Sequence, residues 1–424
     1  MIIVLCIILL ICMAAGMPIV FTLGIPGFVY ILINDLPRNM IPQKMFTGTD
    51  VYVLMALPMF ILAGNLMNAG GISIRLVNFA NACVGYLRGG LAMVTVVASM
   101  FFGGVTGSGT AESAAMGSIM IPAMEKQGYP LGFSAALITS ASSCGPIIPP
   151  SILFVIYGYI ANVSIGRLFL AGIIPGILIG LSLMIAVGIL AKKKNYPRGD
   201  KFSFKNISIT FVDAIWSLLL PILIVGGMAF GFLSPTEVSV MAVVLAIVIG
   251  VFIHKDITLA DIPRIIIDSA IVSGSILFII ATNNILLYAF TLERVADNLV
   301  LLLMNITNSK VIMLLIINIV LLFFGCFIDN IPLMVMFTPV LLPIFKYLHL
   351  DPIHAGVFIV LNMTIAMSTP PVGTSLFVSA SLAKCSIQEV SRFILPFILA
   401  IIAVLMIIIY VPIISTVLPK LIMG

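Results

Sequence analysis

Charged side chains are so scarce in this sequence that they decide what it can fold into. Lys, Arg, Asp and Glu make up 8% of the 424 residues, against roughly 25% in a soluble domain. Between them lie apolar stretches of the length that crosses a bilayer, roughly 20 residues in a helix. With 62% hydrophobic residues and a mean hydropathy of +1.30, the chain reads as an all-α polytopic membrane protein. The lipid bilayer is its first partner, and unpaired backbone groups are forbidden there, so the spans are helices.

Several function classes drop out at once. The net charge is +5, but the basic residues are scattered through short loops. They report sidedness and offer no nucleic-acid surface. No Gly-x-x-x-x-Gly-Lys-Ser/Thr loop is present, so the chain carries no ATP motor of its own. The six cysteines show no paired spacing, and His254, His349 and His354 form no metal motif. No Gly-x-Ser-x-Gly or His-Glu-x-x-His pattern occurs, which argues against an enzyme. The N-terminus is apolar from Ile2 with no preceding Lys or Arg, so it reads as a first span and not as a signal peptide.

Apolar runs place spans near 2–15, 18–34, 51–69, 132–160, 167–190, 211–232, 236–253, 270–290, 353–382 and 393–416. Two further segments, 89–125 and 311–346, are interrupted midway, at Val105 to Thr110 and at Ile328 to Pro332. Both read as re-entrant hairpins, whose broken backbone must be buried in protein or line a polar cavity. Placing the N-terminus outside puts thirteen Lys and Arg in the cytoplasm and seven outside. The densest basic stretch, Lys192 to Lys205, then marks a cytoplasmic linker at 192–210 between halves 1–191 and 211–424. Segments 71–88 and 292–310 are mildly amphipathic and read either as interfacial helices or as tilted ends of neighbouring spans.

The two halves repeat each other. Phe101-Phe102-Gly103 recurs as Phe323-Phe324-Gly325, Pro122 as Pro343, Pro130 as Pro352, Leu153-Phe154 as Leu376-Phe377, Ser164-Ile165 as Ser386-Ile387 and Pro175 as Pro396. All six offsets lie within one residue of 222. Each half holds five crossings and a hairpin, and five is odd, so the second half is expected upside down. An inverted repeat of two five-helix halves is the plan of secondary transporters, which alternate access to a site near the midplane.

In each half the hairpin tip is followed by a second broken helix. The first half offers Ser108, Gly109 and Thr110 at the tip and Ser142, Ser143, Gly145 and Pro146 within the 132–160 span. The second offers Asp329 and Asn330, then Thr369, Pro370, Pro371, Gly373 and Thr374 within the 353–382 span. Gly and Pro in mid-membrane free backbone carbonyls, which with Ser and Thr hydroxyls are hard oxygen ligands suited to sodium. The same breaks create helix N-termini that favour a carboxylate. A carboxylate in mid-membrane is costly and usually functional, so Asp329 is expected to help bind a cation or to cap the tip. Glu112 is read in the same way or as a helix N-terminal charge, and Glu237 as a helix N-terminal charge. Asn283 and Asn284 either hydrogen-bond across helices or face the site.

The stretches FFGGVTGSGTAESAAMGSIMIPAM, GPIIPPSILFVIYG, FIDNIPLMVMFTPVLLPI and MSTPPVGTSLFV together resemble the large permease subunit of TRAP (tripartite ATP-independent periplasmic) transporters, of the ion-transporter superfamily. The likeness covers nearly the whole chain. It implies an elevator-type transporter of the bacterial inner membrane in which hairpins and broken helices move against a scaffold of helices 2–34 and 211–253. It implies uptake of a small organic acid driven by co-transported sodium ions, with no organic cofactor. It implies two partners, a small four-helix membrane subunit, expected as a separate chain, and a periplasmic substrate-binding protein. Carried over residue by residue, it places sodium and substrate ligands on the tip and break residues named above, with Gly103 and Gly325 contributing backbone at the hairpin mouths. A binding-protein-independent dicarboxylate or citrate symporter of the same architecture is the alternative.

Overall fold

The computed structural model describes every residue except Asn195, Arg198, Asp200 and Lys201, so two of the linker's basic residues, Arg198 and Lys201, lie outside the described residues. All regular structure among the described residues is helical. The first half runs α1 (Ile2–Ala14), α2 (Ile19–Ile33), α3 (Met40–Thr47), α4 (Ala56–Ala69), α5 (Ile72–Val84), α6 (Gly90–Thr106), α7 (Gly109–Lys126), α8 (Leu131–Ala141), α9 (Ile152–Ala161) and α10 (Ile165–Lys194). The second runs α11 (Phe204–Ala229), α12 (Pro235–Ile247), α13 (Ile262–Leu292), α14 (Val295–Ile306), α15 (Lys310–Gly325), α16 (Asn330–Tyr347), α17 (Pro352–Ala366), α18 (Thr374–Leu382), α19 (Ile387–Tyr410) and α20 (Ile413–Met423).

Both hairpin segments are helix pairs broken where the apolar pattern is broken: α6 and α7 around Gly107-Ser108, α15 and α16 around Cys326 to Asp329. Both long segments at 132–160 and 353–382 are also pairs, α8 with α9 and α17 with α18, and each gap holds a cis Pro-Pro bond, Pro149-Pro150 and Pro370-Pro371. Among the described residues seven helices have the length and composition to cross a bilayer unbroken; the breaks shorten α6, α8, α9, α15 and α17, and α1 and α2 are short as well.

Some boundaries differ from expectation, each for a local reason. The span expected at 393–416 starts earlier and ends at Tyr410. Val411, held extended at φ −124° before Pro412, cannot continue the helix, and α20 begins afresh. Helix α13 reaches back to Ile262, well before 270, because Pro263 sits in its first turn, where the missing N–H costs nothing. The short α3 falls in a stretch left unassigned by hydropathy. The linker is shorter than its polar composition suggests, since α10 extends to Lys194 and Ser203 caps α11 by accepting the Asn206 N–H. Glu237 does close a helix start: its carboxylate accepts the Ser234 N–H at 2.7 Å while the Ser234 hydroxyl accepts the Glu237 N–H at 3.3 Å.

Helices α7 to α10 begin at residues 109, 131, 152 and 165, and α16 to α19 at 330, 352, 374 and 387, so one order of elements occurs twice. Packing is reciprocal between the two sets. Helix α7 lies on α18 and α16 on α9, α8 lies on α19 and α17 on α10, α4 lies on α12 and α13 on α2. Helices α8 and α17 form the centre: from Gly132 to Ala141 and from Ile353 to Ala366 every residue is buried. A helix apolar all round must be enclosed, and these two are. The outer faces of α10, α11 and α13 expose Ile185, Ile222 and Ile271 instead, as a lipid-facing surface requires.

Candidate functional site

Four interruptions of the helical backbone converge beside this centre. The first is the tip of α6 and α7. Gly107 adopts φ +60° and returns its N–H to the Gly103 carbonyl at 3.2 Å, ending α6, while Ser108 at φ −134° starts α7. The tip presses backbone against backbone on the gap between α8 and α9: a Cβ added at Gly107 would lie 2.5 Å from the Pro150 carbonyl oxygen. In the second half Asp329, extended at ψ 155°, stands before the first residue of α16, and its Oδ1 accepts the Thr374 hydroxyl at 3.1 Å. One bond thus ties the second tip to the start of α18.

A cavity of about 40 Å³ lies between the two tips, lined by Ser108, Gly109, Thr110, Pro146, Asp329 and Asn330, together with Gly107, Ile152, Leu153, Ile331 and Met367. The first turns of α7, α9 and α16 all line it, so the positive ends of three helix dipoles lie beside it. At α9, however, the Ile152 N–H is already donated to the Gly107 carbonyl at 3.4 Å and the Phe154 N–H to the Ser151 hydroxyl at 3.2 Å. Hydroxyls of Ser108 and Thr110, 3.3 Å apart, and the Asp329 carboxylate add oxygen ligands. The arrangement offers adjacent subsites for a cation and an anion. A space of this size has room for water-sized ligands. An organic ligand needs roughly 300 Å³ or more, so the tips must part to admit one.

Not every expected ligand faces the cavity. Ser142 accepts the Ser113 hydroxyl at 2.7 Å and donates to the Thr139 carbonyl at 2.8 Å, fixing α7 to α8. Ser143 meets the Ser368 hydroxyl at 3.2 Å, and Ser368 donates to the Thr139 carbonyl at 3.0 Å, so these two stitch the breaks of the two halves together. Gly103 packs against the backbone of Cys144 and Gly145, and Gly325 against Ala366. Thr369, just past the end of α17, donates back to the Ile365 carbonyl in that helix at 2.7 Å. Pro370 and Gly373 lie in the gap before α18, where Pro371 and Val372 are exposed, whereas the whole gap of the first half from Ser142 to Pro146 is buried. Asp329 is exposed on this same open side.

The structure decides the open question at Asn283. Its amide donates to the Val335 carbonyl at 3.0 Å, a bond across helices from α13 to α16, and Asn284 donates to Ile280 at 2.8 Å in its own helix. Neither lines the cavity. Met367 was passed over as an apolar residue, yet its sulfur accepts the Asn330 amide at 2.9 Å and its methyl group fills the space above Gly109. Its position immediately before Ser368-Thr369-Pro370 is the signal that could have found it.

A family model described as the tripartite ATP-independent periplasmic transporter, DctM component, matches residues 6–414. The chain belongs to this family. Among its relatives, the C4-dicarboxylate large permease protein DctM of Rhodobacter capsulatus is 37% identical over 96% of this chain and 96% of its own length. The sialic acid permease protein SiaT of Haemophilus influenzae is 36% identical over 97% of this chain, which spans 67% of that longer protein. The 2,3-diketo-L-gulonate large permease protein YiaN of Escherichia coli is 33% identical over 94% of both chains. A solved structure, the YdaH transporter of Alcanivorax borkumensis, shares the fold at a TM-score of 0.59 and 14% identity, covering 90% of this chain and 86% of its own. The DctM-family chain is therefore a multi-pass transporter permease of the bacterial inner membrane and not an enzyme. A tripartite system entails a small membrane subunit and a periplasmic binding protein as its other parts.

Proposed function

We propose that this permease takes up a small organic acid together with sodium ions, receiving the acid from a periplasmic binding protein and standing beside a small membrane subunit. The observation that carries the reading is the cavity where three helix N-termini and the Asp329 carboxylate meet. Helix N-termini suit a carboxylate and the oxygen-rich tips suit sodium, so each ligand lowers the cost of burying the other. Relatives named for C4-dicarboxylates, sialic acid and 2,3-diketo-L-gulonate all handle acids, which supports the substrate class. The test is uptake of radiolabelled candidate acids by proteoliposomes holding both membrane subunits, with the binding protein added outside. Uptake is expected to need an inward sodium gradient; equal uptake without it removes the coupling.

The elevator reading, with its two inverted halves, is supported by the reciprocal packing and the twofold order of breaks. In it, α6 to α9 and α15 to α18 move as one body past α4, α12 and α13. Besides the Asn283–Val335 bond, the two bodies come close at the first tip, where a Cβ on Gly64 of α4 would lie 3.5 Å from the Thr106 Cα. That separation is within reach of a disulfide. In a background lacking the six native cysteines, paired cysteines at positions 64 and 106 are expected to halt uptake when oxidised and to restore it when reduced. Undiminished uptake by the oxidised pair rules out sliding at this contact.

A further inference from the structure

A second cavity, sharing no residue with the first, lies where α11 passes the start of α5 and the turn that follows α12. It holds about 360 Å³, and Arg75, Asp213 and His254 line its polar end. Arg75 Nη1 donates to Asp256 at 2.6 Å and to the Gly70 and Gly71 carbonyls at 3.3 and 3.1 Å. Its Nε stands 3.4 Å from Asp213 Oδ1 but makes no hydrogen bond among the described residues. His254 Nδ1 lies 3.4 Å from the Gly70 carbonyl oxygen, and because a carbonyl only accepts, this contact assigns the proton to Nδ1. Burial and the neighbouring Arg75 charge hold the His254 pKa below its ordinary value. The ring is therefore neutral, and Nε2, buried without a partner, is left as an acceptor. The polar end thus presents one cation with an unused N–H and two acceptors, the Asp213 carboxylate and His254 Nε2. Among the described residues no group of three His, Cys, Asp or Glu side chains is placed to hold a metal ion.

The opposite wall is apolar and open to the bilayer. Ile209, Val212 and Trp216 line it from one face of α11, and Leu223 continues the same row two turns further on. All four are exposed. From Ile209 to Leu223 the row runs about 20 Å at roughly 1.5 Å per residue. One leaflet's share of a roughly 30 Å hydrocarbon core is shorter than that, so an acyl chain can lie along it. In the orientation that the Lys and Arg split favours, the cavity sits at the cytoplasmic surface, where a Trp ring bridges headgroups and hydrocarbon.

We propose that this cavity binds a zwitterionic aminophospholipid of the cytoplasmic leaflet, its phosphate against Arg75, its primary ammonium between Asp213 and His254, and an acyl chain along α11. An anionic headgroup alone meets repulsion from Asp213 and Asp256, and a cationic one from Arg75. A headgroup carrying both charges satisfies all three polar side chains. A quaternary ammonium has no N–H to give the two acceptors, so choline is disfavoured against ethanolamine. The bound lipid joins α5, α11 and the turn after α12 at the membrane surface.

Trp216 is the only tryptophan in the chain, so its fluorescence reads the cavity directly. The purified full-length permease in detergent micelles is titrated with phospholipids brominated on their acyl chains, which quench a tryptophan on contact. Wild type is expected to be half-quenched at a roughly tenfold lower mole fraction of phosphatidylethanolamine than of phosphatidylcholine or phosphatidylglycerol, the factor for one charge-assisted hydrogen bond. Asp213→Asn, where the side chain is 55% exposed, and His254→Phe should each bring phosphatidylethanolamine to the level of phosphatidylcholine. Should His254→Phe not assemble, Asp213→Asn decides alone. Equal quenching of wild type by all three lipids means an unselective annulus and overturns the proposal. A preference for phosphatidylglycerol makes the ligand an anion and overturns it too, as does a phosphatidylethanolamine preference that survives in the variants. Glycerophosphoethanolamine, which has the headgroup without chains, is expected not to displace the brominated lipid at equal concentration; displacement makes the ligand a soluble zwitterion and overturns the lipid reading. Loss of the quenching on adding the small membrane subunit, with Trp216→Phe as the blank, assigns the face to that protein and likewise overturns it.

Discussion

Gly107→Val is expected to abolish uptake and to cause the largest loss of thermal stability of any single change at the tips. Two costs combine at this position. A β-branched side chain at φ +60° pays about 1–2 kcal/mol for left-handed backbone. Its Cβ would also lie 2.5 Å from the Pro150 carbonyl and 3.2 Å from the Ile152 N. Those are backbone atoms of the adjoining gap and cannot swing aside, which adds about 1–3 kcal/mol of overpacking. Gly231 separates the two costs. It has φ +72° with nothing within 4 Å of an added Cβ, so Gly231→Ala pays the backbone cost alone. Melting temperatures of the detergent-purified variants should fall in the order wild type, Gly231→Ala, Gly107→Val, and only the last should lose uptake. An uptake-competent Gly107→Val would mean that the tip does not rest on the Pro150 gap during transport.

Much of this architecture is written in residues that interrupt an apolar pattern. Gly107-Ser108 and Asp329-Asn330 mark the tips, and the Pro-Pro pairs mark the breaks, because few residues other than Gly, Pro and small polar ones interrupt a membrane helix. Their recurrence near an offset of 222 exposed the twofold order of elements. Which way a side chain turns was less legible. Ser142 and Ser143 stand in the break beside Pro146, yet they satisfy Ser113, Thr139 and Ser368, all of which are distant in sequence or one helical turn back. A hydroxyl in a dry interior takes whichever acceptor the packing of other helices brings near, and spacing along the chain carries no record of that. Met367 escaped for the opposite reason. Its chemistry is apolar, and only the approach of α7 makes it part of the cavity wall. Glu112 was visible as an acid near the first tip, but its complete enclosure depends on α6 and on the first break closing over it.

Asp329→Asn should raise the half-saturating sodium concentration for uptake by roughly tenfold or more while leaving assembly of the permease intact. The side chain is the same size, and the Asn carbonyl can still accept the Thr374 hydroxyl that now reaches Oδ1 at 3.1 Å. What is lost is the negative charge at the mouth of the cavity. A charge-assisted contact is worth about 1.5–3 kcal/mol, and about 1.4 kcal/mol is a tenfold change in affinity. Thr374→Val removes the hydroxyl and keeps the charge, so the loss there is about 1 kcal/mol and a few-fold in sodium affinity. The contrast isolates the carboxylate, because a purely structural role for the Asp329–Thr374 bond would make Thr374→Val at least as harmful as Asp329→Asn. Initial uptake rates measured across a series of sodium concentrations at fixed acid concentration read this directly. An unchanged sodium dependence in Asp329→Asn would place the cation elsewhere in the cavity and leave Asp329 as a cap that only fastens the second tip to α18.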